Sequence, residues 1–369
     1  MEIKSIDGYW NLYEIIEIEN GITKLPKNYK NDGKYKFLDY KNVYKKDTIH
    51  DFQYNFLPKI NIFEKDYKNK YKSQKNSIAI TWTSETNIDI FQATFINTNK
   101  PLVLNGFCKI FKIRDKFPIL PQWLTWYLNF DKHIKKIRKS IPYTTRCNMT
   151  INELKHMYIK KCDLVTQQKI INIIEPFEKL QNSLKKKINT LETMMLKIAN
   201  QSYVLGKMKN FDIDFEKGIN IKSIYLTNQK TDKTFINVSA INNKPNKYLL
   251  NCEVIENINY GDVVLSLDGT IGLVNNFLKG VNGYGYKVTS NNIHNSIIYC
   301  SLIDERNKKI IQENSNGSVI KHSSNSKKEL LLLDIQNKNV ISFFNLQVIY
   351  KKTLNIIDYI IDKLINLCL

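Results

Sequence analysis

Two long segments with helical apolar spacing lie about 170 residues apart in this chain of 369 residues, and each closes a larger stretch of short strand-like runs and loops. Eight apolar positions keep their register under a shift of 170. Ile170, Ile171, Ile173, Ile174, Leu180, Leu184, Leu191 and Met194 land on Val340, Ile341, Phe343, Phe344, Tyr350, Leu354, Ile361 and Leu364. Solenoid repeats run about 20 to 50 residues, so a period this long indicates a duplicated module. We therefore expect two similar units held at a set distance.

The composition favours a globular protein with a polyanionic partner. Hydrophobic residues make up 43% of the chain, enough for each half to bury its own core. Lys and Arg outnumber Asp and Glu by 55 to 35, a formal charge of +20, which is typical of nucleic-acid binding. Lys, Asn and Ile are encoded by AT-rich codons, so genome composition is an alternative source of part of this charge.

Cysteine usage and the chain ends predict a soluble cytoplasmic protein without a signal segment or membrane span. The six cysteines show no C-x-x-C spacing that would predict a zinc site or a redox pair. The first ten residues lack an apolar run. Charged residues interrupt the most apolar stretch, residues 340–369. We expect no metal site and reduced, mostly buried thiols.

The periodicities predict an α+β protein: two similar mixed α/β globular units, joined by two long antiparallel coiled-coil helices. The expected boundaries are 1–160, 161–203, 204–335 and 336–369. Within the first unit a helix is predicted from Pro121 to Lys139, with Pro121 in its first turn. Pro176 predicts a kink, or a short leading helix before the long one. The predicted helix seam consists of Leu180, Leu184, Ile188, Leu191, Tyr350, Leu354, Ile357 and Ile361.

Local sequence echoes support the duplication. Glu19-Asn20-Gly21-Ile22 is echoed by Glu216-Lys217-Gly218-Ile219, and Phe37-Leu38-Asp39-Tyr40 by Phe235-Ile236-Asn237-Val238. Ser77-Ile78-Ala79-Ile80-Thr81 corresponds to Asp262-Val263-Val264-Leu265-Ser266. The spacings of 197, 198 and 185 residues vary as loop insertions would make them. We expect a shared scaffold with different loops.

Residue types in the chain favour recognition over catalysis. The five histidines form no H-E-x-x-H motif or nucleophile elbow, and no glycine-rich dinucleotide fingerprint occurs. The segment from Gly261 to Gly272 reads as a buried strand running into a glycine-containing turn, without the G-K-[ST] of a P-loop. Asp212, Asp214, Glu216 and Lys217 could imitate a nuclease cluster, but their alternating pattern favours a surface strand. No catalytic residue is predicted.

The arrangement resembles the specificity subunit of type I restriction-modification systems. The resemblance covers nearly the whole chain, with its best matches at Trp10 through Gly21, Gly261 to Gly272, Gly317-Ser318 and Gln167-Gln168-Lys169-Ile170. The family usually has a Pro-Pro-x-x-Glu-Gln step where each long helix starts. Here the first copy keeps only the Gln pair, and the second, Asp334-Ile335-Gln336-Asn337-Lys338, lacks it.

The resemblance implies a non-catalytic DNA reader. Each half would contact one part of a bipartite target. The paired helices would set the length of the unread gap between the two parts and would dock the methyltransferase subunits, of which two are expected. Restriction subunits would join through the complex, and S-adenosylmethionine and ATP would bind only to the partners. The expected DNA contacts are Lys24, Lys27, Thr83, Ser84, Asn87, Thr144, Thr145, Arg146, Ser239, Asn242, Lys244, Asp268, Thr270, Tyr284, Tyr286, Lys321 and His322.

Two other classes of function stay open at this point. One is a self-contained restriction or modification enzyme in which these modules are the specificity end; the absence of methyltransferase and nuclease motifs speaks against it. The other is a coiled-coil interaction protein without a nucleic-acid function. DNA retention at low and moderate salt separates the last class from the first two.

Overall fold

The computed structural model describes residues 6–26, 33–44, 48–86, 89–142, 145–229, 231–243, 247–250, 253–317 and 321–368. The chain divides into two compact units. Unit 1 comprises residues 1–179 with 359–369, and unit 2 comprises residues 180–358.

Unit 1 contains eleven strands and seven short helices among its described residues. The strands are β1 (Tyr9–Asn11), β2 (Ile16–Asn20), β3 (Tyr35–Leu38), β4 (Lys59–Ile60), β5 (Ser77–Thr81), β6 (Thr83–Ser84), β7 (Ala93–Ile96), β8 (Val103–Leu104), β9 (Cys108–Ile113), β10 (Cys147–Asn148) and β11 (Tyr158–Lys160). The helices are α1 (Leu12–Ile15), α2 (Tyr40–Tyr44), α3 (Asp51–Phe56), α4 (Glu64–Lys70), α5 (Pro121–Phe130), α6 (Lys132–Ser140) and α7 (Ile151–Leu154). The long helix α8 (Leu164–Gln201) follows.

Unit 2 repeats this mixture of short elements. Its strands are β12 (Tyr203–Lys207), β13 (Asp214–Lys217), β14 (Leu226–Thr227), β15 (Thr234–Ile236), β16 (Lys247–Leu249), β17 (Val263–Leu265), β18 (Asp268–Gly269), β19 (Val274–Asn275), β20 (Val281–Asn282), β21 (Tyr286–Thr289), β22 (Lys321–His322) and β23 (Leu331–Asp334). Its helices are α9 (Val238–Ile241), α10 (Asn295–Ile303) and α11 (Glu305–Glu313), with 3-10 turns at Met208–Asn210, Ser223–Tyr225 and Ser324–Lys328. The second long helix is α12 (Asn339–Cys368).

The sheets of the two units correspond one to one, which confirms the internal duplication. The main sheet has the order β2-β9-β5-β7 in unit 1 and β13-β21-β17-β19 in unit 2. A smaller sheet contains one parallel pair in each unit, β3 with β8 and β15 with β20. Two-stranded ladders also recur, with β1-β11 matched by β12-β23 and β6-β10 by β18-β22.

The glycines of the first sequence echo occupy the same position in each unit. The Gly21 amide donates to the Cys108 carbonyl at 3.4 Å, and the Gly218 amide donates to the Gly285 carbonyl at 2.9 Å. A Cβ at Gly21 would lie 2.0 Å from the carbonyl oxygen of Asn105, and one at Gly218 2.7 Å from that of Asn282. Both positions need glycine because backbone occupies the space of a side chain.

A Gly21→Ala variant is expected to lose about 3 kcal/mol or more of unfolding free energy, since the atoms it would strike belong to backbone and cannot rotate away. Urea denaturation followed by circular dichroism measures this loss. Gly206→Ala is the control, because its Cβ would meet only the Phe211 side chain at 3.2 Å. That change should cost within about 1 kcal/mol. Equal stability of both variants would contradict the close approach.

Equivalent residues beyond the sheets lie 173 positions apart, three more than the shift found in the sequence. Asp131 ends α5 and caps α6, and Asp304 ends α10 and caps α11. The burial patterns of α8 and α12 follow the same 173-residue relation, with Ile174 and Gln347 at equivalent fully buried positions. A shift error of three residues is close to one helical turn, so apolar positions coincide under both shifts. The register of 170 is therefore corrected to 173.

One helix prediction requires correction, and one of the two alternatives predicted at Pro176 is excluded. The predicted helix from Pro121 to Lys139 consists of α5 and α6, because Asp131 leaves the helical conformation and accepts the Ile134 amide at 2.9 Å. Pro121 does lie in the first turn of α5. No separate leading helix precedes Pro176, since α8 continues through it. Pro176 lies on an exposed side of α8, where water can reach the carbonyl that proline cannot pair.

Within unit 2, the segments of α8 and α12 run antiparallel. Gln181 on α8 donates to Asp358 on α12 at 2.5 Å, whereas Glu192 pairs with Lys351 at 3.0 Å. Residue numbers thus rise on one helix as they fall on the other. Among the predicted seam residues, Leu184, Ile188, Leu191, Ile357 and Ile361 are buried, while Tyr350 and Leu354 are half-buried. Leu180 is 47% exposed, because it lies at the rim of the apolar stripe and not in it.

The core of unit 2 joins both long helices to its main sheet. Met195 and Ala199 of α8 and Val340 and Phe344 of α12 share one buried cluster with residues of β17, β21 and α10. The helices are therefore part of this unit's core and are not loosely attached to it.

Candidate nucleic-acid interface

A cleft of about 450 Å³ opens in unit 1 at the carboxyl ends of the parallel strands β3 and β8. Its lining is a mixture of cationic, acidic, hydroxyl and aromatic side chains. The residues are Leu25, Phe37, Asp39, Tyr40, Lys41, Thr83, Ser84, Glu85, Asp89, Asn105, Phe107 and Arg146. The structure thus brings together three predicted contacts, Thr83, Ser84 and Arg146, from segments over 60 residues apart. We name this site the unit 1 cleft.

Phe107 and Arg146 form the outer part of the unit 1 cleft. Phe107 is 46% exposed, and the Arg146 guanidinium lies 5.2 Å from its ring centroid. The loop that carries Phe107 is fixed, because the Asn105 side chain accepts the Phe107 amide at 2.8 Å and the Phe107 carbonyl accepts the Thr83 amide at 3.1 Å. A guanidinium held over an aromatic ring in this way still offers N–H donors to a bidentate acceptor such as guanine.

The inner part of the unit 1 cleft is a neutral hydrogen-bonded pair. The Tyr40 hydroxyl donates to Ser84 Oγ at 2.8 Å. Burial raises the pKa of Tyr40 to about 12, so the phenol is neutral at physiological pH. Ser84 is buried behind this bond, so it supports the wall of the cleft. The carboxylates of Asp39, Glu85 and Asp89 add acceptors of the kind that pair with the cytosine amino group.

Unit 2 has a cleft of about 520 Å³ at the equivalent carboxyl ends, those of the parallel strands β15 and β20. We name it the unit 2 cleft. It is lined by Asn220, Ile221, Lys222, Ser223, Leu226, Phe235, Asn237, Lys247 and Tyr284. Phe235 and Tyr284 meet edge to face with centroids 6.0 Å apart. Tyr284, a predicted contact, is 40% exposed, and its hydroxyl lies 3.5 Å from Asn220 Oδ1.

The two clefts share positions but differ in side chains. Phe37 and Phe235 occupy the same place on the parallel pair. The amides of Asn105 and Gly283 donate to the carbonyls at the ends of β3 and β15, at 3.0 and 2.9 Å. The exposed aromatic that follows is Phe107 in unit 1 and Tyr284 in unit 2. At one further shared position Asp39 is replaced by Asn237. An acceptor-only carboxylate thus becomes an amide that can also donate.

A second group of predicted contacts in unit 2 lies on the β18-β22 ladder, the counterpart of β6-β10. His322 Nδ1 lies 2.9 Å from Asp268 Oδ1, and Lys217 Nζ lies 3.8 Å from Asp268 Oδ2. Lys321 and Thr270 are exposed beside this pair. The group offers polar atoms to solvent and stands where Thr83 and Ser84 stand in unit 1.

The remaining predicted DNA contacts differ in their exposure to solvent. Lys24, Thr145, Ser239 and Asn242 are exposed. Tyr286 is only 2% exposed and belongs to the core of unit 2, so it is corrected to a core residue. Its alternating position on β21 directs the ring inward, which the sequence pattern alone did not reveal. Lys27, Asn87, Thr144 and Lys244 lie outside the described residues.

Sequence reasoning missed several cleft residues. They are Tyr40, Asn105 and Phe107 in unit 1, and Asn220, Lys222 and Asn237 in unit 2. The Asn105-Gly106 turn was recognisable, and an exposed aromatic directly after a turn was the available signal for Phe107. The others become neighbours only through the parallel strand pairs.

A lysine cluster surrounds the end of β2 in unit 1. Lys112 and Lys72 bind the Glu19 carboxylate at 2.7 and 3.1 Å, while Lys109 donates to Asn20 Oδ1 at 2.5 Å. Partial burial on its own would raise the pKa of Glu19, but the hydrogen bonds from Lys112 and Lys72 outweigh it and lower the pKa to about 2. The charged carboxylate therefore stabilises the fold above pH 4.5, and this contribution is lost as the pH falls to about 2.

Glu19→Gln is expected to destabilise the chain at neutral pH, and the difference from the unaltered chain should shrink as the pH falls from about 4.5 towards 2, where Glu19 is protonated. Urea unfolding across this range measures it. Glu17→Gln on the same strand is the control, since Glu17 is 61% exposed and lies 3.9 Å from Arg114. A pH-independent difference for Glu19→Gln would contradict the assignment.

Among the described residues, no cluster of His, Cys, Asp and Glu could hold a metal ion. In the same part of the chain, no helix combines the length and apolarity needed to cross a membrane.

The chain matches a known protein family. The family described as "Type I restriction modification DNA specificity domain" matches residues 9–193, about half of the chain. The chain belongs to this family. It is therefore a type I restriction-modification DNA-specificity protein, and the resemblance inferred from its sequence is confirmed. No curated protein sequence matches the chain.

Solved structures from type I restriction-modification systems are similar to this chain, and the first of the three that follow shares its fold. One is the S subunit of a type I restriction-modification system from M. genitalium, with 14% identity and a TM-score of 0.53 over 97% of this chain and 94% of that one. A chain from a study of type I complex assembly and conformational transition has 12% identity and a TM-score of 0.40, covering 99% and 98%. The HsdS subunit from Thermoanaerobacter tengcongensis has 12% identity and a TM-score of 0.33, covering 99% and 95%. The first of these supports the predicted α+β fold with two long helices.

Proposed function

We propose that the chain is the non-catalytic subunit that reads a bipartite DNA target, one part with each unit. The observation that carries this proposal is the pair of clefts at equivalent places in a duplicated fold, lined by different side chains. Equivalent placement suits two readers of one kind, and different linings suit two different base sequences. The formal charge of +20 adds attraction to the phosphate backbone.

The long helices set the unread gap between the two parts of the target in this proposal. Two readers joined by a stiff spacer bind most tightly when the spacing of their sites matches the spacer, with avidity gains of about 10² to 10⁴. The target therefore includes a distance as well as bases.

The same helices dock the partner subunits. Ile173, Leu180 and Met194 are 40 to 47% exposed and lie at multiples of seven residues along α8, which places them on one stripe. Ile349 and Ile356, more than half exposed, repeat this spacing on α12. Such apolar stripes suit the helices of a partner protein. We assign them to two methyltransferase subunits in the cytoplasm, with restriction subunits joining through the complex.

The chemistry belongs to the partners in this proposal. Methyltransferase subunits bind S-adenosylmethionine and modify an adenine, and restriction subunits use ATP. The clefts described above supply recognition through side-chain donors and acceptors, and this chain binds neither cofactor.

Reconstitution tests the proposal. The chain is combined with its methyltransferase subunits and S-adenosylmethionine on a pool of randomised duplexes, and methylated molecules are sequenced. We expect a bipartite sequence with a fixed gap, and no methyl transfer by this chain alone. A continuous target, methylation independent of this chain, or methyl transfer by the isolated chain would each refute the proposal.

A further inference from the structure

A polar cluster, buried at Gln347 and Asn276 and partly open to solvent at Glu192, joins the two long helices to the sheet of unit 2. Gln347, in the interior of α12, is fully buried, and its Nε2 donates to Glu192 Oε1 on α8 at 2.7 Å. Asn276, fully buried after β19, donates from Nδ2 to Gln347 Oε1 at 2.8 Å. Lys351 reaches the same Glu192 oxygen at 3.0 Å. One amide side chain thus connects α8, α12 and the end of β19.

The cluster is not what maximal stability requires. Buried polar groups cost free energy unless they are fully paired, and well-packed apolar groups of similar volume are often as stable or more so. The position equivalent to Gln347 on α8 holds Ile174, which is fully buried without a polar group. The fold therefore accepts an aliphatic side chain at this place, and the second copy carries an amide instead.

A buried amide discriminates between helix registers in a way that aliphatic residues do not. Leu184, Ile188 and Leu191 on α8 pack through non-directional contacts that tolerate small displacements along the helix. Any displacement of α12 would separate Gln347 from both Asn276 and Glu192 and leave buried polar atoms unpaired. A single buried polar residue in a coiled-coil seam is known to specify register by this means.

Other polar contacts between the two helix segments are weaker determinants. Gln181 and Asp358 meet at 2.5 Å on the exposed rim, and Lys187 lies 5.6 Å from the Tyr350 ring centroid. Exposed pairs of this kind contribute little free energy, because water competes for each group. Gln347 is thus the contact on which a defined lengthwise position depends.

We propose that Gln347, with Asn276 and Glu192, is a latch that fixes the register of α12 on α8 and thereby sets the gap length that the complex accepts. This inference rests on the proposed function, in which the helices determine the gap. Gln347 is a positioning residue for specificity, since it contacts no base. Its loss should broaden the accepted gap and leave the bases read by both units unchanged.

The experiment uses the reconstituted methyltransferase complex and duplexes that carry both half-sites with gaps from three base pairs shorter to three longer than preferred. With Gln347→Ile, which copies the residue at the equivalent position of α8, preference for the optimal gap over its neighbours should fall about tenfold. The half-site bases should stay as they are. Gln181→Leu, which removes a rim contact on the same helix pair, is the matched control and should keep the gap preference.

A second measurement needs neither DNA nor partners. Cysteines replace Gln181 and Asp358, whose side chains meet only in the native register, and disulfide formation is followed by mass spectrometry of the joined peptides. Adding Gln347→Ile should lower the yield of this cross-link several-fold. Because this readout is independent of DNA, failure of the bipartite target and failure of the latch are distinguishable.

Two further variants keep the proposal testable if Gln347→Ile does not fold and separate the amide from the ion pair. If Gln347→Ile does not fold, Gln347→Asn shortens the side chain so that it cannot reach both partners, and the same broadening is expected. Glu192→Gln keeps the acceptor without its charge and should retain the gap preference. An unchanged gap preference in the folded Gln347 variants, or an unchanged cross-link yield, would overturn the proposal. So would equal broadening by Glu192→Gln, since the ion pair with Lys351 would then be the determinant.

Discussion

An Ile188→Asp variant is expected to lose about 4 kcal/mol or more of unfolding free energy. Ile188 is 6% exposed in the middle of α8 and lies between Leu184 and Leu191, which are also buried. Removing a buried aliphatic side chain typically costs about 2 to 5 kcal/mol, and an unpaired carboxylate in the same place adds the cost of desolvation. Urea denaturation followed by helical circular dichroism measures the loss.

The control for this variant is Asn189→Asp, which introduces the same charge one residue later on an exposed face of α8. Its effect should stay within about 0.5 kcal/mol. If Ile188→Asp were as stable as the control, the helix stripe would not be part of the core, and the spacer function proposed for the helices would lose its structural basis.

Arg146→Ala is expected to relax recognition at one position of the half-site read by unit 1, with a loss of about 1 to 3 kcal/mol of discrimination, or roughly fivefold to 150-fold. The reason is geometric. Arg146 is exposed and its guanidinium lies over the Phe107 ring, 5.2 Å from the centroid, so its N–H donors can meet guanine O6 and N7 together. Methylation of a randomised duplex pool by the reconstituted complex measures the change base by base.

Arg146→Lys separates charge from geometry in this experiment. Lysine keeps the positive charge but cannot make the planar bidentate contact, so affinity should be largely retained while the base preference relaxes. The half-site read by unit 2 and the gap should stay unchanged in both variants. Relaxation of both half-sites, or of neither, would contradict the assignment of one cleft to each half-site.

Much of the architecture follows from the sequence, because its causes are local or periodic. Gly21 and Gly218 mark places where a backbone oxygen occupies the position of a side chain, so the same residue appears in both copies. The stripe containing Leu184 and Ile188 is readable because burial on a helix recurs every three to four residues. The duplication, the paired long helices and the family resemblance all rest on features of this kind.

Features built from distant segments were decided only by the tertiary structure. The unit 1 cleft exists because the parallel pairing of β3 and β8 positions the loop that carries Phe107, while the pairing of β6 and β10 brings Arg146 beside it. No spacing along the chain encodes that neighbourhood. Tyr286 was predicted to contact DNA but is buried, because its side chain lies on the face of β21 that packs inward.

The helix period limits what a sequence shift can establish. Apolar residues three positions apart lie on the same face of a helix, so the 170-residue shift matched hydrophobicity while the structure relates equivalent residues by 173. In the sequence, Gln347 is a polar residue at a position of the apolar helical pattern. Its meaning depends on Asn276 and Glu192, 71 and 155 residues away, because hydrogen-bond partners are chosen by proximity in space and not by order along the chain.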